Sequence, residues 1–166
     1  MHTIEEFLAH AVNLEREAAE RFGMLADAMD ASGNEEVGRL FRRLADYSRM
    51  HLTDAQMRTG FREIPDLKPE DLVWPDLESP ESAAIWAADP MIGRAAALEV
   101  ARDAEQAGLE YYKQIFQTTT DPEIKAMAKE FTAEEEQHVA ELNRWIEAHH
   151  AGLPLPADQR LNPSKP

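Results

Sequence analysis

Prolines at positions 65, 69, 75 and 80 keep residues 61–88 from forming one helix, and this stretch separates two pairs of segments with helical periodicity. Within each pair the connection is short, A31-S-G-N34 in the first and the turn before Asp121 in the second, so each pair should fold back as a helical hairpin. Residues 61–88 are far more than a link between antiparallel neighbours needs, and can cross from one end of a bundle to the other. The expectation is an all-α four-helix bundle with one long crossover between its second and third helices, spanning residues 1–150. Residues 151–166 carry prolines and no periodicity, and read as an extended or disordered tail.

Helix ends are signalled by capping chemistry. The first helix starts at the capping box Thr3-x-x-Glu6 and runs to about Asp30, and the second follows Ser32 and Glu35, which have the spacing of another box, and ends near Gly60. Asp89-Pro90 and Asp121-Pro122 each place an acid before a proline suited to the first helical turn, so they open the third and fourth helices. His149, His150 and Gly152 close the last one. A short helix is expected after Ser79-Pro80, and Trp74 and Trp86 should cover the end of the core.

Steps of three and four residues trace one apolar seam along each helix. On the fourth it runs Ile124, Met127 or Ala128, Phe131, Glu135, His138, Leu142, Trp145. On the first it runs Ile4, Leu8, Ala11, Glu15, Ala18, Phe22, Leu25, Met29. The second reads Val37, Phe41, Leu44, Ser48, His51, Ala55, and the third Leu98, Ala101, Glu105, Gly108, Tyr112, Ile115. Every seam is interrupted at mid-length, where antiparallel neighbours share a level. Glu15, His51, Glu105, Glu135 and His138 are all metal-ligand types. Converging buried carboxylates would repel one another into protonation, and a divalent cation removes that penalty, so these five residues are the candidate ligands of iron, manganese or zinc. Glu5, Glu6, Glu17, Glu20, Glu35, Glu36, Glu134, Glu136, Glu141, Asp46 and Asp54 fall off the seams and should face solvent.

The absence of cysteine removes disulfides, thiolate nucleophiles, zinc–thiolate sites and iron–sulfur ligation. A formal net charge of −15, with Arg39, Arg42, Arg43 and Arg49 interleaved among acids and apolar residues, argues against nucleic-acid or anionic membrane partners and favours cations. With no apolar run of membrane-spanning length and no basic leader, the expected location is cytoplasmic.

In these motifs the chain resembles the ferritin-like superfamily, and within it the rubrerythrin family of di-iron carboxylate proteins. The family pattern is a Glu followed at three by a small residue and at seven by an aromatic, then Glu-x-x-His, with the pair repeated. Here the halves are E15-R-E-A18-A-E-R-F22 with S48-R-M-H51, and E105-Q-A-G108-L-E-Y-Y112 with E135-E-Q-H138. Ser48 follows Glu15 by 33 residues and Glu135 follows Glu105 by 30, as an internal duplication would arrange them.

By that resemblance Glu15, His51 and Glu135 would hold one ion and Glu105, Glu135 and His138 the other. Ser48 stands where the family has a bridging Glu, which leaves Glu135 as the bridge unless water, hydroxide, Tyr47 or Asp54 substitutes. Gly108 stands where peroxide-reducing relatives carry a further carboxylate, and no cysteine-bound electron-transfer module is present in these residues. Phe22 replaces the usual Tyr, while Tyr112 should keep the symmetric hydrogen bond. The resemblance implies Fe(II) oxidation by O2 or peroxide reduction, a separate electron donor, and a homodimer. The alternatives are a single-metal binding or storage bundle with a site degraded at Ser48, and a bundle whose site is vestigial and which serves as an interaction module.

Overall fold

The computed structural model describes residues 3–75, 79–81, 89 and 91–155, and its four long helices contain no strand among them. They are α1 (Ile4–Ala31), α2 (Glu35–Thr59), α3 (Arg94–Thr118) and α4 (Pro122–His150). Helices α1 and α2 pack as one hairpin, α3 and α4 as the other, and the hairpins meet through α2 against α3 and α1 against α4. This is the ferritin-like bundle with its long crossover, whose described residues include the 3-10 helix Pro69–Asp71. No described helix is long and apolar enough to cross a membrane.

Two cap signals behave as the sequence indicates. Thr3 Oγ1 accepts from the Glu6 amide at 3.1 Å, and Asp121 Oδ1 accepts from the amides of Glu123 and Ile124 at 2.8 and 3.2 Å. Two do not. The cap of α2 is Asn34, not Ser32, and its side-chain amide donates to Ile92 O at 2.8 Å, while Ser32 ends α1. Helix α3 starts at Arg94 after the cap residue Gly93 rather than at Asp89-Pro90. Asp89 instead closes a tight turn, its side chain accepting from Met91 N at 2.8 Å and its carbonyl from Ile92 N at 3.1 Å. The same short side chain suits an Asx-type turn as well as a helix cap, and here the turn uses it up.

The seams are buried as spaced, but they build two apolar clusters rather than one. The first gathers Phe22, Ala26 and Met29 of α1, Val37 to Ala45 of α2, Ala97 to Ala104 of α3, and Leu142 and Trp145 of α4. The second gathers Ile4 to Leu14, Ala55, Tyr111 and Tyr112, and Ile124 to Phe131. Each helix passes from one cluster to the other across a level that holds Glu15, Ser48, His51, Glu105, Glu135 and His138. Leu155, beyond the last helix, is buried against the first cluster.

The crossover is fastened to α1 by a histidine that sequence periodicity did not single out. His10 is buried, and its Nε2 accepts from the amide of Val73 at 3.0 Å, so its proton sits on Nδ1 and is donated to Glu6 O at 2.8 Å. Trp74 packs edge-on against His10 at 5.2 Å and against Tyr111 at 5.4 Å, which covers the second cluster as expected. Trp86 lies outside the described residues, and of the short helix expected after Ser79-Pro80 only Pro80 and Glu81 are described, both helical. Arg58 ties α2 to α4 through Glu130 and Glu134, with its guanidinium 5.1 Å over the Phe131 ring. Glu134 is therefore half-buried and paired rather than solvated. None of the other off-seam acids is buried.

Burial lowers the pKa of His10 below its ordinary 6.5, outweighing the opposing effect of the Glu6 carbonyl. Below pH 6.5 the unfolded chain therefore takes up the proton first, and the strap's contribution fades as pH falls. His10→Ala, which leaves Val73 N–H without its acceptor, is expected to cost about 1–3 kcal/mol in urea unfolding at pH 8. The gap between parent and variant should narrow at pH 5; an equal gap at both pH values would contradict the strap.

Candidate metal centre

Side chains on one helix at positions three and four apart lie on one face, and the seams carry five polar groups into the level between the two clusters. Glu15, Glu105 and Glu135 are buried, and His51 and His138 are partly so. The two imidazoles stack, with centroids 3.7 Å apart and planes 10° apart. His138 Nδ1 lies 3.4 Å from both Glu105 Oε2 and Glu135 Oε2, and His51 Nδ1 lies 3.9 Å from Glu15 Oε2. The sequence-derived residues thus come together as one constellation.

A sixth member was not among them. Glu81, from the crossover, is 1% exposed, and its carboxylate reaches the same level. Two triads place one ligand atom from each member within 4.8 Å of the others: Glu105, Glu135 and His138, and Glu15, Glu81 and Glu135. Glu135 belongs to both, the position of a bridge. His51 stands beside the second triad, whose third place is taken by Glu81. Periodicity could not reveal Glu81 because the crossover has none; the visible signal was Gly108, a residue without a side chain facing the centre. A Cβ built at Gly108 would lie 2.5 Å from Glu81 Oε1.

The two side chains raised as substitutes beside Ser48, Tyr47 and Asp54, are engaged elsewhere. Ser48 is buried, Asp54 Oδ2 accepts from Arg58 Nε at 3.3 Å, and Tyr47 packs its ring against Trp145. Phe22 stacks on Phe41 in the apolar core. Tyr112 is fully buried, but its hydroxyl makes no hydrogen bond among the described residues, so the expected bond to the centre is not formed.

The electrostatics are those of carboxylates lacking a counter-charge. Burial, then repulsion from Glu135 and Glu105, raises Glu15 well above the carboxylate range. Burial, then Glu105, raises Glu135, and burial, then Glu105, Glu15 and Glu135, raises Glu81. Burial also works against the charge on Glu105, but the proton donors His138 and Glu135 beside it win and hold it low. His138 is correspondingly raised by Glu105 against the effect of burial, and His51 is pushed down to about 4 by burial and by His138. Among the described residues no lysine or arginine pairs with any of the four carboxylates. Glu81 Oε1 makes no hydrogen bond among the described residues. Oxygen and neutral imidazole donors with an unmet need for positive charge fit a transition-metal ion, and no thiolate is present to favour a softer one.

The centre opens on one side. A pocket of 280 Å³ leads to His51, His138 and Glu105, with Tyr47, Met50, Gln137 and Glu141 around its mouth. A small solute can reach the imidazole side of the constellation, whereas the carboxylate side is closed by Tyr112, Glu81 and the core.

A family model described as Rubrerythrin matches residues 6–146. A crystal structure of an uncharacterized conserved protein from Magnetospirillum magnetotacticum MS-1, determined at 2.00 Å, is similar with a TM-score of 0.65 and 38% sequence identity. That similarity covers 93% of this chain and 98% of the other. No curated protein matches.

Keeping Glu135 neutral in the metal-free bundle costs folding energy that an isosteric amide does not. Glu135→Gln is therefore expected to raise the stability of the stripped protein at pH 7.5 by about 1–3 kcal/mol, measured by urea unfolding. It should at the same time abolish the stabilisation that added Zn(II) or Fe(II) gives the parent. A variant less stable than the stripped parent would show that Glu135 is held by bonds an amide cannot replace, not by a vacancy for a cation.

Proposed function

Because the chain belongs to the rubrerythrin family, we propose that it is a non-haem iron protein whose centre is held by Glu15, His51, Glu105, Glu135 and His138 and reduces peroxide or oxidises Fe(II) with O2. The observation that carries this reading is the meeting, at one level of the bundle, of buried carboxylates and stacked imidazoles with no lysine or arginine among the described residues to neutralise them. Iron at this centre would supply the electrons for O–O bond cleavage.

The chain's own residues account for the rest. Glu135, shared by both triads, would join two ions, with His138 and Glu105 on one side and Glu15 and His51 on the other. The pocket beside His51 and His138 admits an oxidant the size of peroxide, while the aromatic packing of Tyr112 against Phe7 and Phe131 keeps bulk water from the opposite face. Burial, and then the charges of Glu15, Glu135 and Glu81, push the Tyr112 phenol well above its ordinary pKa, so it stays protonated with an uncommitted hydroxyl beside the carboxylates. Electrons would come from a separate donor, since these residues hold no cysteine for an iron–sulfur or rubredoxin-type relay.

A single-ion centre is the second reading, and Ser48 favours it. On α2 the buried position that would carry a bridging carboxylate offers a hydroxyl instead. The triad of Glu105, Glu135 and His138 is complete without α2.

Anaerobic Fe(II) titration of the stripped protein is expected to show two ions per chain, and mixing that form with peroxide or O2 a fast optical change. Both should be lost in Glu135→Ala, and the optical change also in His138→Ala. One ion per chain would select the second reading. Iron bound at full occupancy but inert to both oxidants would overturn the oxidoreductase assignment.

A further inference from the structure

We propose that Glu81, donated by the crossover and accommodated by Gly108, is a ligand of this centre and supplies the carboxylate that α2 lacks at Ser48. The inference rests on the metal-centre reading and deepens it. Two-metal sites in helical bundles use four carboxylates and two imidazoles, a Glu from each of two helices and a Glu-x-x-His from each of the other two. The four helices of this chain provide three carboxylates, Glu15, Glu105 and Glu135, and two imidazoles, His51 and His138. Glu81 restores the fourth.

Three independent features converge on it. Its carboxylate has a ligand atom within 4.8 Å of those of Glu15 and Glu135. Its Oε1 is buried without a hydrogen-bond partner, an expensive state for a carboxyl group unless a cation meets it. And α3 carries a glycine at mid-helix where alanine would favour the helix by about 1 kcal/mol. The space that glycine leaves is filled by this side chain, with Oε1 2.5 Å and Cδ and Cγ each 3.3 Å from where a Cβ would stand. The void and the carboxylate come from different parts of the chain and fit each other. A glutamate that merely needed room could have turned to solvent, since the crossover that bears it is largely exposed from Gly60 to Asp71.

The functional consequence is that one ligand is borne by a connecting segment rather than by a helix. Metal occupancy then fastens the crossover at Glu81 as His10 fastens it at Val73, so loading of the centre and docking of the crossover are a single equilibrium.

The test is the number and affinity of Fe(II) and Zn(II) ions bound by the stripped full-length chain, counted by elemental analysis after anaerobic titration, with circular dichroism to verify folding. Glu81→Gln keeps the shape of the side chain and replaces an anionic ligand oxygen with a neutral amide. It is expected to weaken one ion by more than the roughly 10–100-fold that changes outside the ligand shell cause. Gly108→Ala, which leaves Glu81 in place but takes its space, should show the same loss. Ser48→Glu in the Glu81→Gln background should restore the ion. Unchanged occupancy and affinity in Glu81→Gln, whether the parent binds one ion or two, overturns the inference and leaves the metal centre standing. A parent that binds neither metal overturns both.

Discussion

Four carboxylates cannot share a dry interior unless protons or a cation neutralise them, and the architecture follows from that constraint. Glu15, Glu81, Glu105 and Glu135 are all at most 6% exposed. In the metal-free state the solution is protonic: three acids raised above their usual range, one carboxylate paired with a raised histidine, and one imidazole kept neutral. A transition-metal ion replaces those protons with a charge the same atoms are already placed to receive. The helices, caps and aromatic packing hold the groups together against their repulsion, so the fold carries an energetic burden that the ligand relieves.

Periodicity made most of this legible in the sequence. A helix repeats every 3.6 residues, so an acid or histidine that lands on the apolar seam announces its burial, and Glu15, Glu105, Glu135, His51 and His138 all did so. Four helices, two hairpins and a long crossover followed from the same repeat and from the prolines. What escaped lies where no repeat operates. Glu81 sits in the crossover, and nothing about its neighbours in sequence says which way it points. Gly108 was visible as a missing carboxylate, although its role is to make room for one. Asp89-Pro90 and Ser32 carry helix-start signals that the fold puts to other use, because a turn and a helix cap draw on the same short polar side chains and distant contacts decide between them. His10 escaped because its partner, the Val73 amide, belongs to that same aperiodic segment.

Relation to the rubrerythrin family is therefore firm in the bundle and particular in the details of the centre. The second half keeps the full pattern of Glu105, Glu135 and His138. The first half keeps Glu15 and His51 and has Ser48 between them. A metal centre built this way would be asymmetric, with the well-furnished side drawn from α3 and α4 and the other dependent on the loop between the hairpins.

The division of the interior into two apolar clusters has a consequence for cooperativity. Helices usually unite a small domain because one continuous core makes the loss of any part costly to the rest. Here the storey that separates the clusters is held together by groups that repel one another when stripped. An ion at that level would act as a keystone between two miniature cores. Without that ion the clusters would be joined by the four helices that run through both, and the protein would then resemble two weakly coupled cooperative units more than one.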